Sequence, residues 1–199
     1  MRLLSLGKIV ATLALAAALS ACLDATVDVA LTSPGAARVS IVETMGADFY
    51  AMLDTEAGKD EGDGAEYCLH GRLRLDGDGS AICTQVEEGA FETLAATRRD
   101  PGLAFTPAGP NRVRISLPLA LLREEIGAGE ATDSEGRETI AALFAGRTLT
   151  IRFSGKSIVA TNMDPADDGK SAQRVLPFLD LINGTGDLPK TLYAVVEAP

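Results

Sequence analysis

The sequence predicts an α+β fold in which one antiparallel sheet, built from several hairpins, carries helices on one of its faces. Pairs of segments with alternating apolar and polar residues are separated by short runs of Gly, Pro, Asp and Ser, which is the pattern of β-hairpins. Segments with apolar residues at helical spacing lie between these pairs. Such a sheet leaves its second face to water or to a ligand.

The predicted strands form four pairs and a last single strand. In the first pair, Val27, Val29 and Leu31 alternate with polar or small residues before a turn at Ser33–Gly35. The pairs lie within 22–45, at Tyr67–Leu75 with Ser80–Val86, at Leu103–Thr106 with Arg112–Leu117, and at Thr148–Phe153 with Lys156–Thr161, and the last strand is Leu192–Val196.

Helices are predicted wherever apolar residues recur every three or four positions. One of them opens at Pro118 and is closed by Gly127, as helix ends often are. The helical segments are Gly46–Glu56, a short one around Phe91–Ala95, Leu119–Ile126, Glu138–Ala145 and Val175–Ile182. The sequence contains no internal repeat and no linker long enough to split it, so residues 22–199 are predicted to form one domain.

The first 21 residues have the layout of a secretory signal. Two basic residues, Arg2 and Lys8, precede an apolar run from Ile9 to Leu19, which small residues then follow. Because a spanning helix needs about 20 apolar residues and this run is much shorter, an uncleaved membrane anchor is disfavoured.

The residues Leu19-Ser20-Ala21-Cys22 resemble the lipobox of a bacterial lipoprotein signal. The resemblance implies that Cys22 is acylated and becomes the first residue of the mature chain. The acyl chains would then hold the domain outside the cytoplasm on a bacterial membrane. Leu23, in place of the Asp that commonly marks inner-membrane retention, favours the outer membrane, facing the periplasm.

The net charge and the amino-acid composition limit which classes of partner this chain is expected to bind. Removing residues 1–21 takes away only Arg2 and Lys8 among the charged residues, so the formal charge changes from −10 to −12. This charge argues against nucleic acid and against electrostatic attraction to anionic headgroups, so membrane attachment is predicted to depend on the acyl chains. Trp is absent and aromatic residues make up 5% of the chain, which disfavours stacking platforms for sugars or bases. No cofactor is predicted.

Two cysteines remain once Cys22 is assigned to lipidation. In an oxidising compartment Cys68 and Cys83 are expected to form a disulfide, and two buried free thiols are the alternative. A tight hairpin turn centred on Gly77 and Asp78 would place Cys83 opposite Arg72. The chain before the hairpin must therefore bend back, and Gly71 is a candidate for that bend.

Outward positions on the predicted strands carry arginine. These side chains alternate with apolar residues that point inward, such as Leu73, Ile115 and Ile151. If they share one open sheet face, they form a docking surface for an anionic ligand or an acidic partner, and the alternative is a solvated face with cross-strand ion pairs. The arginines are Arg72, Arg74, Arg112, Arg114 and Arg152.

Other candidate sites have weaker support. The spacing of Asp76, Asp78, Ser80 and Glu87 fits a calcium loop, but Ala81 stands where such a loop needs glycine, so a hairpin turn is favoured. The acidic loop with Asp164, Asp167 and Asp168 either holds a hard cation or connects a strand to a helix. We favour the connector, and no metal site is predicted.

Catalytic motifs are not evident in the sequence. His70 is the one histidine, and no Gly-x-Ser-x-Gly motif accompanies it. One histidine beside a disulfide does not make a zinc site. A cell-wall hydrolase with convergent acids is kept only as an unfavoured alternative.

The lipidated Cys22, the hairpin at Ala25–Val42 and the segment Gly155-Lys-Ser-Ile-Val-Ala-Thr-Asn162 with Asp168-Gly169 together resemble LppM-type bacterial lipoproteins. The resemblance implies an α/β envelope domain that binds a ligand or a partner and carries no catalytic residues. The chain departs from that family by ending at Pro199 without a C-terminal transmembrane helix. The predicted function is therefore a non-catalytic, membrane-anchored envelope protein that binds a partner protein or an amphiphile. A lipid or glycolipid carrier with an internal apolar cavity is the alternative.

Overall fold

A computed structural model describes residues 23–51, 67–68, 70–98, 102–125, 138, 141–142 and 144–199. Strands and short helices are both present among them, as predicted for an α+β chain. The strands, in chain order, are β1 (Leu23–Ser33), β2 (Ala36–Met45), β3 (Arg72–Leu75), β4 (Ala81–Ala90), β5 (Ala104–Pro107), β6 (Arg112–Pro118), β7 (Thr148–Ser154), β8 (Ser157–Thr161), β9 (Asp164–Pro165), β10 (Ser171–Pro177) and β11 (Thr191–Glu197).

These strands form two sheets. Sheet A has seven described strands in the order β3-β4-β2-β1-β7-β10-β9, and sheet B has four in the order β5-β6-β11-β8. Sheet B is antiparallel throughout, whereas sheet A is mixed because β1 and β7 run parallel. The prediction of a single antiparallel sheet is therefore wrong.

The fourth predicted hairpin explains the difference. Its two strands exist as β7 and β8, but β7 pairs with β1 and β10 in sheet A while β8 pairs with β11 in sheet B. The chain changes sheets at Gly155, where a Cβ atom would lie 2.5 Å from Val196 Cγ1 and 2.9 Å from the carbonyl oxygen of Glu197. Only glycine allows this close approach of backbone to sheet B.

The two sheets enclose one apolar core. Val29, Ile151 and Phe153 of sheet A and Ile115 and Val196 of sheet B are completely or almost completely buried in the same cluster. Because side chains alternate along each strand, the neighbours of these residues form the outer faces of the two sheets. Sheet B, rather than a layer of helices, therefore covers much of the inner face of sheet A.

Two short helices each begin directly after a strand and pack against the core. Helix α1 (Leu119–Glu125) follows β6 directly, and α2 (Phe178–Asn183) follows β10. The predicted helix Val175–Ile182 is correct only from Phe178 onward, because Val175–Pro177 pair with β7. In α2, Phe178 and Leu181 are buried, and Gly184 ends the helix with φ 63°. No helix within the described ranges is both long and apolar enough to span a membrane.

The other predicted helices are described in part. Residues 47–51 are helical, and so are residues 138, 141 and 142 of the predicted helix Glu138–Ala145. Residues 52–56 of the first segment and residues 139, 140 and 143 of the second lie outside the described residues. The segment around Phe91–Ala95 forms two 3₁₀ turns, Phe91–Thr93 and Ala95–Thr97, rather than an α-helix. The predicted signal segment 1–21 and Cys22 also lie outside the described residues, so the signal and the lipidation of Cys22 stay predictions.

Candidate functional site

The inner face of sheet A is not filled along its whole width. A cavity of about 410 Å³ lies on the side of β1, β2 and β4, and it is mainly apolar. Across from these strands it is bounded by β6, by α1 and by the segment that contains the second 3₁₀ turn. The described residues that line it are Val27, Val39, Ile41, His70, Gln85, Glu87, Ala95, Ala96, Leu103, Leu117 and Leu122.

Small residues leave this space open. The 3₁₀ segment presents Ala95 and Ala96 to the cavity, where the closed part of the core has Leu, Ile and Phe side chains. Val27, Ile41 and Leu122 point toward the interior but are only half-buried. An apolar space with half-buried aliphatic walls can accept an apolar ligand without displacing protein side chains.

Polar groups gather at the rim of the cavity. Glu87 of β4 accepts a hydrogen bond from the backbone N–H of Ala95 at 2.8 Å, which fixes the 3₁₀ segment against the strand. Gln85 occupies the next inward position of β4, and exposed His70 lies where the chain approaches β3. The rim therefore offers amide, imidazole and carboxylate groups around an apolar interior.

The Cys68–Cys83 disulfide, as predicted, joins the rim to the sheet, with Cα atoms 5.6 Å apart. The β3–β4 connection spans Asp76–Ser80, so Cys83 lies opposite Leu73 and not opposite Arg72, one residue away from the predicted register. Before β3 the chain bends back, and Gly71 donates a hydrogen bond to the carbonyl oxygen of Cys68.

Gly71 is required by the packing of this corner. A Cβ atom at residue 71 would lie 2.8 Å from each disulfide sulfur and 2.9 Å from Cγ of Gln85. No side chain fits at these distances without moving the disulfide or β4. The disulfide and Gly71 together therefore hold His70 at the rim of the cavity.

Glu43 is a carboxylate that the sequence reading overlooked. It follows Val39 and Ile41 at an inward position of β2, and the period-two pattern could have identified it. Burial raises the pKa of Glu43 above its usual value. The hydroxyl of Tyr67 donates a hydrogen bond to the backbone carbonyl oxygen of Glu43 at 3.1 Å. Burial is the main cause that raises the pKa of Tyr67 to about 12, and the negative charge of Glu43 is the second.

The arginines of the predicted docking face are divided between the two sheets. Arg72 and Arg74 lie on β3 and Arg152 on β7 of sheet A, whereas Arg112 and Arg114 lie on β6 of sheet B. Because the sheets pack through their inner faces, the outer faces that carry these arginines point in opposite directions. The structure therefore does not bring the five arginines together on one surface, and binding by any of them stays a prediction.

Several of these arginines have partners within the chain. Arg74 forms an ion pair with Asp76 at 2.8 Å, and Arg152 lies 3.8 Å from Asp28. The guanidinium of Arg114 lies 3.7 Å from the ring centroid of Tyr193. Of these contacts, the Arg152–Asp28 pair joins the neighbouring strands β7 and β1, as expected for the alternative of a solvated sheet face with cross-strand ion pairs.

The two acidic motifs considered as cation sites, at Asp76–Ser80 and at Asp164–Asp168, contain aspartates that stabilise turns. Asp78 accepts a hydrogen bond from the backbone N–H of Ser80, and Asp168 accepts one from Lys170. Hydrogen bonds from Ser80 lower the pKa of Asp78. Within the part of the chain that the structure describes, no three His, Cys, Asp or Glu residues are grouped as metal ligands would be.

Comparisons with known proteins give little further guidance. No protein-family model and no curated protein matches the chain. Among solved structures, the chain is similar to the NMR structure of the folded domain of LppM from Mycobacterium tuberculosis, with 13% identity and a TM-score of 0.47 over 90% of this chain and 91% of the other. Similarity at this level carries no functional argument.

Proposed function

We propose that this chain is a non-catalytic, lipid-anchored envelope protein whose domain binds the acyl part of an amphiphile in the cavity. The observation that carries the proposal is the apolar space of about 410 Å³ between sheet A, α1 and the 3₁₀ segment. Its volume lies within the range of about 300–1,000 Å³ that is typical of small-molecule sites. A solid core at this position would have argued against the carrier alternative.

The lining favours a hydrocarbon chain. Val27, Val39, Ile41, Leu117 and Leu122 supply aliphatic surface from both sides. Each methylene that moves from water into such a space contributes about 0.8 kcal/mol. An acyl chain is also flexible enough to follow a space bounded by strands, a short helix and a 3₁₀ segment.

The rim favours a polar headgroup that carries hydroxyl or amino groups. The Glu87 carboxylate and the side-chain oxygen of Gln85 accept hydrogen bonds, and His70 adds one donor and one acceptor when it is neutral. A carboxylate at the rim also disfavours a bare phosphate by charge repulsion. An amphiphile with one acyl chain and a hydroxylated or amino headgroup fits both parts of the site.

The anchor is the second part of the proposal. Acylation of Cys22 would place the domain at a membrane, where amphiphiles are concentrated, and more than one acyl chain is needed for firm attachment. The Cys68–Cys83 disulfide supports an oxidising, extracytoplasmic location, since disulfides rarely persist in the cytoplasm. We place the protein at the outer membrane, facing the periplasm.

The proposal can be tested by a substitution that fills the cavity from the 3₁₀ segment, where the lining residues are alanines. Ala96→Phe adds an aromatic ring where Ala96 lines the space, whereas Ala160→Phe adds the same ring at an exposed position of β8 outside the cavity lining. Titration with a fluorescent fatty acid should show binding to the wild type and to Ala160→Phe. We expect Ala96→Phe to bind at least about tenfold more weakly, about 1.4 kcal/mol.

Native mass spectrometry of the mature chain, gently extracted from membranes, provides a second measurement. Co-purified lipid beyond the mass of the acyl groups on Cys22 is the expected result. Equal binding of the fatty acid to both Phe variants, when both fold like the wild type, would rule out the cavity as the site.

A further inference from the structure

The ladder of sheet A places the start of β1 beside the β3–β4 turn. Leu23 pairs with Met45, Met45 with Ala81, and Ala81 with Leu75. These residues form one row across the sheet, and the Asp76–Ser80 turn projects from the end of that row. The opposite end of β1 is the turn at Pro34–Gly35, about 33 Å away at 3.3 Å per residue.

The start of β1 is held firmly to its neighbour. Asp24 forms an ion pair with Arg147 at 2.8 Å through one carboxylate oxygen, and the other accepts a hydrogen bond from the backbone N–H of Thr148 at 2.8 Å. Cys22 directly precedes Leu23 in the sequence, and adjacent Cα atoms are about 3.8 Å apart. An acyl group on Cys22 would therefore be joined to the rigid sheet without an intervening linker.

The same end of the sheet exposes apolar side chains. Leu75, in the row of Leu23, is 55% exposed, and Leu73 is 40% exposed. They lie on the edge strand β3. Arg74 of the same strand is paired with Asp76, which offsets one of the two acidic charges of the turn. Exposed leucines beside a paired charge suit the boundary between headgroups and acyl chains.

We infer that this end of sheet A, formed by the start of β1, by Leu73 and Leu75 of β3 and by the Asp76–Ser80 turn, lies against the surface of a lipid bilayer. The inference rests on the acyl anchor of the proposed function. The partner is the bilayer itself, with a zwitterionic surface, because Asp76 and Asp78 at the tip would be repelled by anionic lipid.

The orientation has a consequence for the cavity. Val27, which lines it, is four residues along β1 from Leu23, or about 13 Å from the membrane-facing row. That distance is close to the thickness of the hydrocarbon region of one bilayer leaflet, about 15 Å. We identify the ligand of the cavity as a lipid drawn from the anchoring membrane. The Pro34–Gly35 end of the sheet points away from that membrane.

The chain contains no Trp, so a single introduced Trp reports its own depth. Gly77 lies in the membrane-facing turn and Gly35 in the distant one, and a Cβ atom at either position would meet nothing within 4 Å. Gly77→Trp and Gly35→Trp are therefore matched variants. Each acylated full-length mature chain would be reconstituted into phosphatidylcholine vesicles containing lipid brominated near the headgroup, which quenches nearby Trp.

We expect the fluorescence of Gly77→Trp to be quenched at least about threefold more than that of Gly35→Trp, since the bromines act over a distance much shorter than β1. Equal quenching of the two variants, stronger quenching at residue 35, or failure of the protein to float with the vesicles would overturn the inference. Fatty-acid binding by the same two variants is measured separately. Retained binding without the difference in quenching would refute the orientation and leave the cavity proposal standing.

Discussion

The two halves of the interior differ although the inner face of sheet A forms one wall of both. Under β7 and β10, Ile151, Phe153 and Ala172 are completely buried, and Leu176 is 1% exposed, because sheet B and α2 pack against them. Under β2 and β4, Ile41 is only half-buried, and the wall opposite it is the 3₁₀ segment with Ala95 and Ala96. We call the part under β7 and β10 the packed half, and the part under β2 and β4, which borders the cavity, the lined half.

The difference shows what each half contributes. The packed half supplies most of the apolar burial that stabilises the domain, since stability follows the area removed from water. The lined half gives up part of that burial and is instead held by the disulfide and by the hydrogen bond between Glu87 and Ala95. Outside the disulfide corner, substitutions should therefore affect mainly stability in the first half and mainly binding in the second.

The largest expected effect separates the halves directly. Phe153→Ala removes a fully buried ring and should lower the free energy of unfolding by about 3–5 kcal/mol. Ile41→Ala removes a side chain that already borders empty space, and it should lower that free energy by less than about 1.5 kcal/mol while weakening fatty-acid binding. Urea titrations of both variants measure the difference, and equal destabilisation would contradict the distinction.

The second prediction concerns the disulfide corner. Replacing both Cys68 and Cys83 with Ser should lower the free energy of unfolding by about 3 kcal/mol, because the bridge closes a loop with a sequence separation of 15. It should also weaken fatty-acid binding, because His70 is no longer held at the rim.

Gly71→Ala is the matched test of the same corner. Its Cβ atom would lie 2.8 Å from both sulfurs, whereas the Cβ atom of Gly77→Ala would meet nothing within 4 Å. Gly71→Ala should therefore lower both the thermal midpoint and the affinity, and Gly77→Ala should change neither. If the two variants behave alike, the corner is not the constraint that its packing indicates.

Local patterns in the sequence were sufficient to predict the hairpins but not their assembly. The first three pairs were found because alternation and turn residues are local signals, and β1–β2, β3–β4 and β5–β6 all exist. The β7–β8 pairing was wrong because a change of sheet at Gly155 depends on the approach of Val196, which is far away in sequence. Period-two alternation cannot reveal that two adjacent strands belong to different sheets.

The candidate site was predictable to the same extent. The disulfide could be predicted from the count of cysteines. The docking face of five arginines was predicted on the assumption of one open sheet, whereas the structure has two sheets and divides the arginines between them. The cavity could not have been located, because its lining comes from strands and turns that are distant in sequence. Its clearest local signal was Ala95-Ala96 in a segment where a packed helix would carry larger residues.

A third prediction concerns Glu43, whose side chain lies on the inner face of β2 in the lined half. Because burial raises the pKa of Glu43 above its usual value of 4.5, the folded state binds this proton more tightly than the unfolded chain does. Stability contributed by the protonated form is therefore present at low pH and lost as the pH rises through the folded pKa. Glu43→Gln should raise the unfolding free energy at pH 7, by less than about 1 kcal/mol, and leave it unchanged near pH 4. Urea titrations at both pH values would contradict this assignment if the gain were equal or occurred only in acid.

The smallest expected effect lies on the outer face of sheet B, which belongs to neither half of the interior. The guanidinium of Arg114 lies 3.7 Å from the ring centroid of Tyr193, and both side chains are half-buried on the outer face. A cation–π contact at a protein surface contributes about 0.5–1 kcal/mol. Arg114→Glu should lower the free energy of unfolding by that amount and leave fatty-acid binding unchanged, because the side chain points away from the cavity. Lysine at this position should retain part of the contact and serves as the control. A loss of fatty-acid affinity in Arg114→Glu would mean that the ligand contacts the outer face of sheet B, and the division between a packed half and a binding half would then have to be redrawn.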